Sequence, residues 1–535
     1  MKISAEDFFG FAEYGRTASG KWTLRPRWRR IFFALSVFCA VAYLVLALFL
    51  FLRERNLREL EETEFSDMLA YPFSENIRRM QHKRYSNALI ERAKHSKDPY
   101  KTLNLVQQGL MQDSTQPDGR IFYSYVLFLQ RRSRDALEFL REGLENEREL
   151  THPEYVRFFT RQCAAHFEDS LLIEAANTFA GHEKISPQNR FVLCAGAAQA
   201  EIATRRFADA EKRLNTAPLA GTFSAEFLSA RMARERGDVR ASAEILLKLR
   251  KRVDSPEPDI ELAEDLHSLG KDKTALRFLD SARTRAKDCP AMLVRIIDVL
   301  AKIDLASARE RKSEAEKDFF KRYGNSPEAL EQFAMFAANR SEAENVERCL
   351  RKAKKEAFIN LPEFILIHLE TLLRCGEAEK AKAELDEIFR EKPGWFSEKK
   401  TILSGIRAVA LYASGNEKLG QIFLHAARTS AELTVSQTVA LARMLEDSGH
   451  AGTALRFLEA RKEIEPKNPA LLCAVLEYAV RQKDSATFVR YAPQLAESRR
   501  VSRKRLMEFL NFAESDRLVF HEEQSELSDF FKSML

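Results

Sequence analysis

The sequence predicts an all-α protein in which a single transmembrane helix is followed by a long array of paired helices. Gly and Pro, which are common in the turns of β proteins, number only 19 and 16 among 535 residues. A run of 22 uncharged residues lies near the N-terminus. Beyond it, small residues recur about every 35 positions, which is typical of a helical repeat.

Residues 1–30 form a short basic segment that we predict to be a cytoplasmic tail. They contain seven Lys and Arg residues but only three Asp and Glu residues, whereas residues 53–535 carry 78 basic and 76 acidic side chains. Phosphate binding requires a basic surface, so the nearly neutral body argues against nucleic acid as a partner.

Residues 31–52 are predicted to be a transmembrane helix. As a helix they would span roughly 33 Å, close to the thickness of the bilayer hydrocarbon. The run is longer than the apolar part of a signal peptide and ends in charged residues, which favours a retained anchor. Six basic residues lie within 15 positions before the run and three after it, so the positive-inside rule places the N-terminus in the cytoplasm. The C-terminal domain would then be extracytoplasmic, and periplasmic if the cell is bacterial.

Residues 53–114 are predicted to form a helical stalk and the entry helices of the array. From there, helical segments of 12 to 16 residues alternate with turns. Several of these turns contain a glycine five positions before a small residue. These turn glycines are Gly237, Gly270, Gly376, Gly415 and Gly449.

Three positions of each repeat follow a common pattern. The marker position, usually small, is occupied by Ala136, Ala175, Ala210, Ser242, Ala275, Ala315, Val346, Ala381, Gly420, Ala454 and Phe488. Four positions later the residue is large and apolar in ten of eleven cases, and twelve positions earlier it is mostly small. Two helices of a hairpin approach closely only where both carry small side chains, so the pattern predicts stacked hairpins.

This pattern resembles the tetratricopeptide repeat (TPR), a helix-turn-helix unit of about 34 residues. The clearest match is residues 361–393, with Gly376, Ala381, Leu385 and Pro393 at the expected places. The resemblance covers residues 115–500, or about 9 to 11 hairpins. Residues 501–535 are predicted to be capping helices, because a solenoid must cover its ends.

Motifs for catalysis or metal binding are not found. The sequence lacks HExxH, GxSxG, GxGxxG and CxxC, so we predict no cofactor, no metal and no enzymatic activity. Five cysteines are expected to be buried as small apolar residues, and disulfide bonds are left open. These are Cys163, Cys194, Cys349, Cys375 and Cys473.

The TPR resemblance implies that the first helix of each hairpin lines a groove for a protein or peptide. Carried over position by position, the groove residues are Gln199, Phe227, Arg231, Arg234, Glu264, His267, Asn339, Arg374, Tyr412 and Arg443. Arg231 and Arg234 lie three apart on one helical face, which suits an acidic segment. The other interpretation of this pair is a solvated face, or one bridged by carboxylates such as Glu235.

These observations lead to a membrane-anchored, non-enzymatic scaffold or adaptor that binds another protein, for example in cell-envelope assembly or export. Two alternatives stay open. One is an α/α-toroid enzyme acting on carbohydrate, which the single tryptophan after the span, Trp395, disfavours because sugar clefts stack on aromatic rings. The other is a structural membrane protein that self-assembles as a homo-oligomer.

Overall fold

A computed structural model describes the chain except residues 1–5, 9–10, 17–21, 58–59, 61–62, 97, 131, 287, 431, 467, 499 and 516–520. The chain divides into two compact units. The first contains residues 1–162 and 181–189, and the second contains residues 163–180 and 190–535. The predicted boundaries of the tail, span, stalk, array and caps stay predictions.

The N-terminal segment contains three short strands that the sequence analysis did not predict. Strands β1 (Glu6–Phe8), β2 (Ala12–Arg16) and β3 (Trp22–Pro26) pair antiparallel in that order. Asp7 lies opposite Glu13, and Tyr14 lies opposite Leu24. Aromatic residues in this segment, such as Tyr14 and Trp22, favour strands. The rest of the predicted tail, residues 1–5, 9–10 and 17–21, lies outside the described residues.

The apolar run forms helix α1, Trp28–Leu52, which continues as a π-helical turn, Arg53–Leu57. This helix is long and apolar enough to cross a membrane, with a mean hydropathy of 2.8 and only 6% of its most apolar window buried. Helix α2 (Phe65–Ala70) packs against it. The rings of Phe51 and Phe65 lie 5.9 Å apart, and Ala47 is buried.

The remaining helices follow in chain order. Those up to the middle of the chain are α3 Glu75–His95, α4 Pro99–Gln112, α5 Pro117–Leu129, α6 Ser133–Gly143, α7 Glu147–Thr151, α8 Pro153–Ala165, α9 Asp169–Phe179, α10 Pro187–Ala203, α11 Phe207–Leu214, α12 Phe223–Arg236, α13 Val239–Leu249, α14 Glu257–Ser268 and α15 Asp272–Arg285. The others are α16 Pro290–Lys302, α17 Ala306–Tyr323, α18 Pro327–Asn339, α19 Ala343–Lys355, α20 Leu361–Arg374, α21 Ala378–Glu391, α22 Phe396–Ala413, α23 Glu417–Thr429, α24 Val435–Asp447, α25 Ala451–Ile464, α26 Pro469–Gln482, α27 Ser485–Tyr491, α28 Leu495–Ser498, α29 Arg503–Ala513 and α30 His521–Met534.

The helices of the second unit stack as TPR-like pairs. Each pair from α12 and α13 to α26 and α27 packs its second helix on its first, and the first helices of consecutive pairs also contact each other. Pro327 and Pro469 are the first residues of their helices, where proline lacks only a hydrogen bond that the helix end would not make. The predicted all-α fold, with an N-terminal apolar helix and a TPR-like solenoid, is confirmed except for the three short strands before α1.

The predicted repeat pattern describes the packing of these pairs. All eleven marker residues are buried, from Ala136 at 0% exposure to Phe488 at 0%. The residues four positions later and twelve positions earlier are buried as well. At the most closely packed points, a side chain larger than the native one would collide with its neighbour. A Cβ on Gly420, for example, would lie 2.9 Å from the Tyr412 ring.

The turns inside the pairs use the left-handed backbone conformation. Every turn glycine singled out from the sequence has a positive φ, for example +91° at Gly237 and +79° at Gly376. The same position in other pairs holds Arg205, Ser341 or Lys483, with φ between +56° and +63°. These non-glycine residues therefore adopt a conformation that costs L-amino acids roughly 1–2 kcal/mol.

Helices α29 and α30 cover the end of the array. Phe509, Phe512 and Phe531 pack around Phe488 of α27, with ring centroids 4.8 to 6.2 Å apart. These aromatic contacts join the last two helices to the core of the final pairs.

Candidate functional site

Four of the predicted groove residues lie together on α12 and α14. Phe227, Arg231 and Arg234 line a pocket of about 400 Å³ that also includes Glu261 and Arg295. The fourth residue, Glu264, lies 4.0 Å from both Arg234 and Arg295.

Arg234 is held by carboxylates of the following pair. Its Nε donates to Asp265 at 2.6 Å, and another nitrogen donates to Glu261. Asp265 also accepts a hydrogen bond of 2.6 Å from Ser242. Burial acts to lower the pKa of Arg234, but the attraction of Glu261 and Asp265 outweighs it and the pKa is raised. Arg234 is therefore a structural link between hairpins, which agrees with the carboxylate-bridged interpretation of this face.

The ion pairs continue along the first helices of the next pairs. Arg295 of α16 binds Glu261 at 2.6 Å, and Lys302 lies 3.5 Å from Glu264 and 2.7 Å from Asp298. Burial acts to raise the pKa of Glu261, but the neighbouring arginines outweigh it and the pKa is lowered. In contrast, Arg231 is exposed. Of the two predicted groove arginines in this cluster, Arg231 and Arg234, it is therefore the one that a partner can reach.

The other predicted residues do not join this cluster. His267 bonds Asp272 at 2.7 Å across the turn between α14 and α15. Arg374 donates to the Ala338 carbonyl at 3.2 Å and to Asn339 at 3.4 Å, so these two residues link α18 to α20.

Tyr412 differs from the expectation of an open groove position. It is only 6% exposed, and its ring lies 4.8 Å from that of His450. The reason is the marker Gly420, which has no side chain and leaves the tyrosine ring room between the helices of its pair. Gln199 of α10 and Arg443 of α24 are exposed and lie on helices far apart in the array.

The cysteines are free thiols. Cys163, Cys194, Cys349 and Cys473 are buried as predicted, and burial raises the pKa of Cys349 to about 12. The expectation for Cys375 is wrong, because this residue follows the last residue of α20 at the turn and is exposed. In the described part of the chain, no group of three or more His, Cys, Asp and Glu side chains is placed to hold a metal ion.

A second surface lies on the second helices of two consecutive pairs, outside the first-helix groove that the TPR resemblance implies. We name it the α23–α25 pocket; it has a volume of about 400 Å³. Its lining consists of Tyr412, Lys418, Gln421, Ile422, Leu424, His425, Arg428, Thr453, Arg456 and Phe457. The spacing of Lys418, Ile422, His425 and Arg428 places them on one face of α23, a signal that the sequence contained.

The C-terminal helices also contact hairpins much earlier in the second unit. The Arg503 main-chain N–H donates to Glu235 at 3.1 Å, and its side chain donates to the Leu535 main-chain oxygen at 3.1 Å. Arg205 donates to the same Leu535 oxygen at 3.0 Å. Arg500 donates to the Ala164 carbonyl at 3.2 Å. We call the three long-range hydrogen bonds, those of Arg205, Arg500 and the Arg503 main-chain N–H, the closing contacts.

Comparison with known proteins gives no family assignment. No family model and no curated protein matches the chain. Among solved structures, the chain is similar to a chain in the structure of Naa15/Naa10 bound to HypK-THB, with 13% sequence identity and a TM-score of 0.24. The match covers 85% of this chain and 78% of that chain. A likeness at this level assigns neither a family nor a function.

Proposed function

We propose that this protein is a single-pass membrane protein whose TPR-like body binds another protein, without enzymatic activity, outside the cytoplasm. The observation that carries the proposal is the exposure of α1. Phe33, Phe38 and Val45 are 72%, 70% and 61% exposed, although they belong to the most apolar helix of the chain. A continuous apolar surface of this kind is stable when lipid covers it.

The length of the helix fits this role. From Trp28 to Asn56 it comprises 29 residues, or about 43 Å at 1.5 Å per residue, which exceeds the hydrocarbon thickness of about 30 Å. Helix α2 packs beside the C-terminal half of α1, where Phe65 contacts Phe51. At the other end of the helix, Trp28 is 60% exposed, and an indole ring at that level suits the membrane interface.

The buried residues of the TPR-like body pack its helices against one another, which leaves its surface to bind a partner. The marker positions are buried against neighbouring helices, and the buried arginine Arg234 is bound by carboxylates. What remains for recognition is the surface, where a solenoid binds its partners by complementarity of shape and charge.

The exposed Cys375 allows a direct test of the anchor and its orientation. We expect the full chain to stay in the membrane after alkaline carbonate washing. We also expect a membrane-impermeant maleimide to label Cys375 in sealed right-side-out vesicles, whereas the C375S variant shows the background. Labelling that requires lysis of the vesicles would contradict the orientation, and release by carbonate would contradict the anchor.

Partner binding is tested by photocrosslinkers placed separately at positions 231 and 443, both exposed on first helices. Crosslinks from native membranes to one protein at either position are expected. A crosslinker in the N-terminal tail is the matched control, because it lies on the other side of the membrane. If only cytosolic proteins crosslink at positions 231 and 443, the orientation is wrong. If no protein crosslinks at either, or at the exposed position 422 of the α23–α25 pocket, the scaffold role is wrong.

A further inference from the structure

The α23–α25 pocket combines an exposed apolar side chain with a buried apolar floor. Ile422, which lines it, is 65% exposed. Leu424 and Phe457, which also line it, are only 6% and 3% exposed. The pocket therefore has an apolar base, an apolar rim and room for a large side chain of another molecule.

The same pocket carries positive charge that the protein itself does not neutralise. Lys418, Arg428 and Arg456 line it together with His425, whereas no Asp or Glu belongs to its lining. Arg456 donates to Thr453 at 3.4 Å, and in the described residues none of these three cations forms an ion pair with a carboxylate.

Other arginines close to the pocket are paired with carboxylates. On the neighbouring helix α22, Arg407 binds Asp386, and on α25 itself Arg461 binds Glu465. The cations of the pocket have no carboxylate partner and lie beside an exposed isoleucine. Such a surface is expected where a binding partner supplies both the negative charge and the apolar contact.

We infer that the α23–α25 pocket binds an acidic amphipathic helix of a protein partner. The inference rests on the proposed function and specifies where the partner binds and what chemistry it has. The cationic face of α23 runs from Lys418 to Arg428, about 15 Å at 1.5 Å per residue, which matches three turns of a docked helix. A large apolar residue of that helix fills the pocket, and its carboxylates pair with Lys418, Arg428 and Arg456.

A protein helix fits this surface better than a lipid membrane does. Membrane-binding surfaces present apolar side chains that protrude into the acyl region, with the cations around them. Here the apolar base, Phe457 and Leu424, is recessed between two helices, and the cations surround a concave site. A recessed apolar base suits a single inserted side chain of a helix in a groove.

The test uses the full chain in phosphatidylcholine nanodiscs and a fluorescent synthetic peptide of about fifteen residues, long enough to form a helix. The peptide carries two leucines four positions apart, with glutamates beside them on the same face. Fluorescence anisotropy is expected to show saturable binding that weakens with salt. A peptide with alanines in place of the leucines should bind much more weakly.

The variants separate charge from apolar contact. Reversing both arginines, R428E with R456E, should weaken binding at least about tenfold, and I422S should weaken it by a similar factor. The matched control reverses two exposed arginines outside the pocket, R240E on α13 with R277E on α15, and we expect it to bind like the native protein. A peptide with lysines in place of glutamates should bind R428E with R456E better than the native chain.

Three results would overturn the inference. The first is the absence of saturable binding, and the second is equal binding by R428E with R456E and by the control R240E with R277E. The third is that R428E with R456E no longer sediments with phosphatidylglycerol vesicles while the peptide fails to bind the native chain. The last result would make the pocket a lipid site. If positions 231 and 443 still crosslink a protein in any of these cases, the proposed function stands and only the location of the docking site is wrong.

Discussion

The turn position shared by Ser341 and Gly376 allows a paired test of how this array is held together. Both residues lie at the same place in consecutive hairpins, with φ of +56° and +79°. The left-handed conformation costs an L-residue roughly 1–2 kcal/mol, whereas glycine adopts it freely but loses about 0.5–1 kcal/mol more entropy on folding. The S341G variant should therefore stabilise its hairpin by about 0.5–1 kcal/mol, and G376A should destabilise its hairpin by a similar amount.

The surroundings of Gly376 and Ser341 allow the effect of the backbone conformation to be measured separately from other effects. A Cβ on Gly376 would meet no atom within 4 Å, so the change to alanine adds backbone strain without a collision. Ser341 is exposed, and the S341A variant is the matched control because it removes the hydroxyl group but keeps the strained conformation.

Hydrogen exchange of the full chain in nanodiscs measures each hairpin separately, because it reports local opening free energies. A change of about 1 kcal/mol corresponds to roughly a fivefold change in exchange rate. Peptides from α18 and α19 should exchange more slowly in S341G, and peptides from α20 and α21 should exchange faster in G376A. Equal exchange in S341G and S341A would refute the reasoning, as would native protection in G376A.

Three further predictions concern other parts of the chain. The buried Glu149 lies 3.2 Å from Arg120, and burial raises its pKa to about 7, so the folded state binds its proton more tightly than the unfolded state does. Helix α7 should therefore lose up to about 3 kcal/mol of stability as pH rises from 4.5 through 7. Hydrogen-exchange measurements should find this trend absent in E149Q. The R503A variant removes the side-chain hydrogen bond to the Leu535 main-chain oxygen, so α30 should exchange several times faster. Unchanged protection would mean that this bond contributes nothing. In G405A the new methyl group would lie 2.6 Å from Leu441, which should lower stability by roughly 1–3 kcal/mol. The control is G452A, because a Cβ on Gly452 would meet no atom within 4 Å. The urea midpoint of G405A should therefore be lower than that of G452A.

Local features of the fold were predictable because they depend on residues close in sequence. A small residue such as Ala381, a glycine such as Gly376 and the spacing between them define a hairpin whatever surrounds it. The buried markers and the positive φ values followed from these signals. The apolar helix α1 followed from composition alone.

Features that depend on distant residues were not predictable in the same way. The partners of Arg234 lie on the next hairpin, and which carboxylates it reaches depends on how the two pairs pack. The closing contacts join residues far apart in sequence, and no periodicity encodes them. The α23–α25 pocket was missed for another reason, since the family resemblance had directed attention to first helices only.

The closing contacts have a mechanical consequence for the second unit. An open solenoid behaves as a spring, because each repeat touches only its neighbours and small rotations add along the array. Here, Arg503 and Glu235 are 268 positions apart in the chain yet hydrogen-bonded, and Arg500 bonds a carbonyl 336 positions away. Extension of this array along its axis would have to break these bonds. The second unit is therefore expected to be stiff. A force applied to it through a docked partner would reach its other hairpins without lengthening the array.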